Sequence, residues 1–143
     1  MPSMSINPAR ARRSRLFDGA LFTWGVAAAV NLTATGVHDA QQGGDWPSGL
    51  ELAYLLSFLL AVPALAVAVW AKVTLKRMGA VVEDERTVSA NRHASTIALS
   101  GALAAQLPYF FDVTTTSGAQ AKFTIAAALV SYGAARLWLT REA

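Results

Sequence analysis

The densest cluster of ionisable side chains is the run Glu83-Asp84-Glu85-Arg86, inside the segment from Lys72 to His93. Two adjacent carboxylates, Asp84 and Glu85, can do acid–base work when burial or a nearby ion separates their proton affinities. The flanking residues, KVTLKRMGAVV before and TVSANRH after, read instead as an exposed loop with no pocket or metal cluster. The chain has no glycine-rich phosphate loop, no HExxH pair and no nucleophile elbow. It has no cysteine, which removes thiolate ligands and dithiol chemistry. The two histidines, His38 and His93, fall in segments expected on opposite sides of a membrane and cannot share a metal. His38, Asp39, Asp45, Glu51 and Asp112 read as a solvated acidic face. No catalytic residue, metal ligand or cofactor site is expected. Asp84, Glu85 and Arg86 read as a helix-start and topology feature or a partner-docking motif. Acidic residues at a helix start suit the positive end of its dipole.

A second set of residues lies inside apolar stretches. Asn31, Ser57 and Gln106 are uncharged polar side chains where lipid tails would solvate the chain. Such groups either line a path for a solute or hydrogen-bond one helix to another. Pro63 removes one backbone donor in the middle of an apolar run, so a helix kink is expected there. Asp18 lies at the edge of the first apolar stretch rather than deep within it, which argues against proton-driven transport through a buried carboxylate.

The elements that must position these residues are set by composition. Of 143 residues, 54% are hydrophobic and 15% charged, against about a quarter charged in an ordinary soluble domain. The apolar residues form four blocks with charges at their margins: Gly19–Val37, Leu52–Ala71, Ala94–Phe111 and Phe123–Ala135. The last is short, and Lys122 and Arg136 must snorkel to opposite faces for it to span. About 20 helical residues cover the roughly 30 Å hydrocarbon core. The expected fold is therefore all-α, with four transmembrane helices over about 17–37, 51–71, 93–112 and 119–139. These form two antiparallel hairpins, with a basic flexible N-terminus over 1–16 and a charged cytoplasmic loop over 72–92.

The twelve basic residues orient the helices. Four lie in the N-terminal segment, five between the second and third stretches, and two at the C-terminal end. Only Lys122 is left for the other side. Positive residues stay cytoplasmic, so both termini and the central loop are expected inside. Aromatic placement agrees, with Tyr54 and Tyr109 at one boundary, Trp70 and Trp138 at the other, and Trp46 in the outer loop. The net charge of +3 is explained by these flanks and does not point to nucleic acid. The basic start could also open a signal or transit peptide. The long apolar run, the lack of a small-x-small cleavage site and the even span count favour a retained first helix.

Small residues supply the packing faces. Ala94, Ala98, Gly101, Ala102 and Ala105 share one side of the third helix, Gly25 and Ala29 one side of the first, and Ser131 and Gly133 lie in the fourth. These suit tight antiparallel packing or a homodimer seam.

The string Asp84-Glu85-Arg86, seven further residues and then Ala94-Ser95 resembles a family of bacterial four-helix membrane proteins of unknown function. They carry a DER motif between two helical hairpins and a small-residue pair opening the third helix. The resemblance covers roughly residues 50–112 in layout. It implies an accessory or regulatory membrane protein, sometimes associated with transcriptional regulators.

These features lead us to expect a non-enzymatic integral membrane protein of the bacterial plasma membrane. It is expected to act as an accessory, regulatory or immunity-type subunit through a membrane-protein partner or self-association. The competing reading is a homo-oligomeric solute or ion transporter or channel, with Asn31, Ser57, Gln106 and the Pro63 kink lining the path. Neither a small-molecule substrate nor a nucleic acid is expected as a partner.

Overall fold

The structure, a computed structural model, describes residues 8–41, 45–79, 85–107 and 117–141, and the backbone alone for residues 10, 85–87 and 141. All regular structure among these residues is helical: α1 (Pro8–Ala40), α2 (Ser48–Arg77), α3 (Glu85–Ala104) and α4 (Ser117–Arg141). Pro8 opens α1, where its missing N–H would have no partner and its fixed φ already suits a helix. At the end of α2, Met78 donates to the Thr74 carbonyl at 3.0 Å, and Gly79 takes φ 65°, the left-handed turn that ends a helix at little cost only in glycine.

Two boundaries differ from the sequence expectation of a loop over 72–92. Helix α2 continues to Arg77, and α3 already begins at Glu85. A helix that leaves hydrocarbon need not stop there. Lys72, Lys76 and Arg77 are good helix formers and are exposed, while Leu75 between them is buried and holds the turn. Helix α2 also runs unbroken through Pro63.

Three helices are long and apolar enough to cross a membrane: Ala11–Ala40, Ser48–Arg77 and Ser117–Thr140. Helix α3 is not among them. Its first nine residues, Glu85 to His93, are mostly polar, and its described apolar part, Ala94 to Leu107, rises only about 21 Å. The remainder of the expected third span, residues 108–112, lies outside the described residues, as do Pro108 and Tyr109.

The interior is made of small side chains. Its buried apolar residues are nearly all alanine, including Ala29, Ala34, Ala68, Ala71, Ala94, Ala119 and Ala126, and among the described residues no large side chain is fully enclosed. The large apolar residues point outward instead, with Leu52, Leu55, Phe58, Leu59, Leu60, Val62 and Trp70 of α2 all exposed. In water this would be an aggregating surface. In lipid, where leucine gains nothing by hiding from acyl chains, close contact of small residues holds helices together. The hydroxyls inside the helices follow the same logic. Thr23, Thr33, Thr74 and Thr124 each donate to the carbonyl four residues back, so none needs an outside partner.

Helix α1 packs on both α2 and α4, and α3 packs on α4; no comparable interface joins the other pairs among the described residues. Each packed pair runs in opposite directions. Asn31 meets Ser57 and Arg13 lies over Trp70 between α1 and α2. Asp18 meets Arg136 and Asp39 meets Lys122 between α1 and α4. Gln106 meets Thr124 and Asn91 meets Tyr132 between α3 and α4.

Candidate functional site

The seam between α1 and α4 carries the charged groups that the fold brings together. Glycines set its spacing. A Cβ on Gly36 would lie 2.9 Å from the Phe123 ring, one on Gly133 would lie 3.0 Å from the Phe22 ring, and Gly25 faces the Leu129 carbonyl. The helices therefore approach with a ring of one seated on the bare backbone of the other.

An ion pair closes each end of this seam. Arg136 Nη2 donates to Asp18 Oδ1 at 3.1 Å, with both side chains largely buried (13% and 16% exposed). The guanidinium also lies over the Phe17 ring, 5.4 Å from its centroid, and its Nε is buried without a hydrogen-bond partner. At the opposite end Lys122 Nζ donates to Asp39 Oδ2 at 2.6 Å, and here both side chains are about a third exposed (32% and 37%). Lys122 and Arg136 thus end on carboxylates of α1.

Beside the Asp18–Arg136 pair is a cavity of about 140 Å³ lined by Leu21, Phe22, Trp24, Leu129, Tyr132 and Leu137, together with Gly25 and Gly133. Its walls are carbon almost throughout. A second, more open groove of about 550 Å³ runs over α1 between α2 and α4, lined by alanines and by Val26, Val30, Phe123 and Val130.

The three polar residues picked out in the sequence divide between two interfaces. Asn31 Nδ2 donates to Ser57 Oγ at 3.3 Å, and Ser57 in turn donates to the Tyr54 carbonyl at 2.8 Å, all between α1 and α2. Gln106 lies between α3 and α4, donating to Thr124 Oγ1 at 2.5 Å and accepting from Gln120 Nε2 at 3.4 Å. Gln120 also donates to the Ala105 carbonyl at 2.7 Å. Each polar group therefore answers another across a helix pair, and Asn31 and Gln106 do not meet. Gln120, Thr124, Asn91 and Tyr132 were not anticipated; they are polar residues within or just outside apolar blocks, which is the signal that could have found them.

The small-residue side of α3 faces α4. Ala94 is fully buried, and a Cβ on Gly101 would collide with Ser131, whose own Cβ would be 2.9 Å away.

Of the motif in the central segment, Glu85 and Arg86 form the first two positions of α3, with backbone only described, and Asp84 lies outside the described residues. His38 stacks on Trp46 with ring centroids 4.2 Å apart, Trp46 lies 5.4 Å from Tyr54, and His38 Nδ1 is buried without a partner. His93 is exposed, with Nδ1 2.9 Å from the Ser89 carbonyl. No three His, Asp or Glu residues gather to hold a metal among the described residues. No protein-family model, curated protein sequence or solved structure matches the chain.

Proposed function

We propose that the chain is a non-enzymatic integral membrane protein of a bacterial plasma membrane, acting as an accessory or regulatory subunit that docks another membrane protein through α3. In this reading the four helices span as two antiparallel hairpins with both termini cytoplasmic, the orientation favoured by the basic flanks. The resemblance carried by Asp84-Glu85-Arg86 and Ala94-Ser95 points the same way.

The observation that carries the reading is the outer side of α3. This helix has one extensive neighbour, α4, and the side turned from it exposes Arg92, His93, Ser95, Thr96 and Ser100 together with Leu99, Leu103 and Leu107. Ser95, Thr96 and Ser100 bond back to carbonyls of their own helix at 2.8–3.2 Å, which lowers the cost of that face without making it apolar. A helix side that sets hydroxyls, Arg92 and His93 among leucines offers another membrane helix both polar and packing contacts, of which acyl chains can answer only the second.

The absence of cysteine allows single-cysteine reporters. Ser100→Cys on the outer side of α3 and Val62→Cys on the exposed side of α2 would be crosslinked in native membranes with a short bifunctional maleimide. The expected result is an adduct to a different protein from Ser100→Cys alone. An adduct only to a second copy transfers the weight to the homo-oligomeric transporter, and equal yields from both positions overturn the docking role of α3. Orientation is read separately: Asp45→Cys should react with an impermeant maleimide on intact cells, whereas Lys76→Cys should need permeabilised cells. The reverse pattern inverts the topology.

A further inference from the structure

We propose that the α1–α4 seam holds one phospholipid with an anionic headgroup, a segment of acyl chain in the cavity beside the Asp18–Arg136 pair and the phosphate on Arg12 and Arg15. This rests on the membrane placement given above and names a ligand for a site it leaves empty of function.

The cavity selects hydrocarbon. At about 140 Å³ it is close in size to the engineered apolar cavity of about 150 Å³ that takes up benzene, so a ring or a bent stretch of chain fits. Leu21, Phe22 and Leu129 offer nothing that would hold water. At its edge Asp18 accepts from Arg136 Nη2, which leaves Arg136 Nε as the one buried donor there without a partner among the described residues.

The headgroup site follows from helix register. Arg15 is three residues before Asp18 and neighbours it at the mouth of the seam. Arg12, three before Arg15, neighbours Arg15 in turn and lies about 120° round the helix from Asp18, so its long side chain must reach back to share a phosphate there. Arg12 and Arg15 are exposed, and neither forms an ion pair among the described residues. Arg15 is about 4.5 Å and Arg12 about 9 Å beyond Asp18 along the axis, the depth of the phosphate layer if Asp18 marks the hydrocarbon edge. The carboxylate that would repel a phosphate, Asp18, is neutralised by Arg136. Two guanidiniums with no carboxylate on them among the described residues, above an apolar slot, match a phosphate ester joined to an acyl chain.

The test is native mass spectrometry of the full chain in detergent micelles, titrated with phosphatidylglycerol or phosphatidylcholine of identical acyl chains. One phosphatidylglycerol should be retained about tenfold or more tightly than phosphatidylcholine. Arg12→Gln/Arg15→Gln should abolish that preference. Leu21→Trp, which fills the cavity, should weaken both lipids by about fivefold or more. Leu129→Phe serves the same purpose should Leu21→Trp fail to fold. The control Lys76→Gln/Arg77→Gln removes the same charge from the end of α2 and should leave binding unchanged. Equal loss in the control would mean diffuse attraction, and wild-type binding by both cavity variants would empty the slot; either result overturns the proposal. A chain that stays monodisperse without detergent would instead sink the membrane placement itself.

Discussion

Asp18 and Asp39 stand twenty-one residues apart on α1, yet the basic residues that answer them, Arg136 and Lys122, stand only fourteen apart on α4. At 1.5 Å per residue the carboxylates are separated by about 31 Å along the axis and the basic Cα atoms by about 21 Å. The long side chains of arginine and lysine make up the difference by reaching outward from either end of α4. The aspartates therefore lie about one hydrocarbon thickness apart, and α4, whose charge-free stretch is too short alone, gains its span from the reach of its two cations.

The two pairs should differ in worth. Asp18→Ala leaves the largely buried Arg136 unanswered and is expected to destabilise the protein by about 3–5 kcal/mol. Asp39→Ala, at the more exposed pair, should cost about 1 kcal/mol or less. Asp18→Leu combined with Arg136→Met should recover most of the larger loss. Unfolding in micelles by added denaturing detergent measures all three, and equal losses at the two ends would refute the ranking.

Gly101 and Ser131 make a matched contact between α3 and α4. Gly101→Ala should destabilise by about 1–3 kcal/mol, because the new methyl overlaps both heavy atoms of the serine side chain. Ser131→Gly should be milder alone and should restore much of the loss in the double variant. A double-mutant cycle with no coupling would show that the helices do not meet there.

Asn31 and Gln106 belong to separate interfaces, so their contributions should add. Asn31→Leu and Gln106→Leu are each expected to cost about 0.6–1.7 kcal/mol, the range for hydrogen bonds between membrane helices. The double variant should lose the sum within about 0.5 kcal/mol. Strong coupling between them, or solute flux in proteoliposomes abolished by either change, would instead place both on one path.

The helical character of the chain was legible because an apolar block bounded by charge permits little else, and the alanine and glycine faces of α3 already implied a close neighbour. What the sequence lacked was the identity of partners. Asp18 and Arg136 are 118 residues apart and Asp39 and Lys122 are 83 apart, and no local pattern links them. The basic pair was visible only as side chains needing to escape hydrocarbon, and their destination depended on α4 lying against α1. The start of α3 was legible only in part: Asp84, Glu85 and Arg86 read as a helix-start feature, yet apolar length places the span itself only from residue 93. Glu85 to His93 is mostly polar, and a search for apolar length does not register helical turns made of polar residues. Gln120 and Thr124 escaped notice because each looks ordinary until Gln106 is placed opposite.

The order in which helices touch has a consequence for how the protein is made. Helices α1 and α2 can pair as soon as both have emerged, since each is the other's neighbour. Helix α3 has no such prospect, because its one extensive neighbour is α4, whose last turn is thirty-seven residues further along the chain than Ala104. At about 5–20 residues per second, translation leaves α3 without its partner for roughly 2–7 s. For that interval its small-residue side, with Ala94 and Gly101, has no helix to close on, so α3 is the element whose packing must wait for the end of the chain.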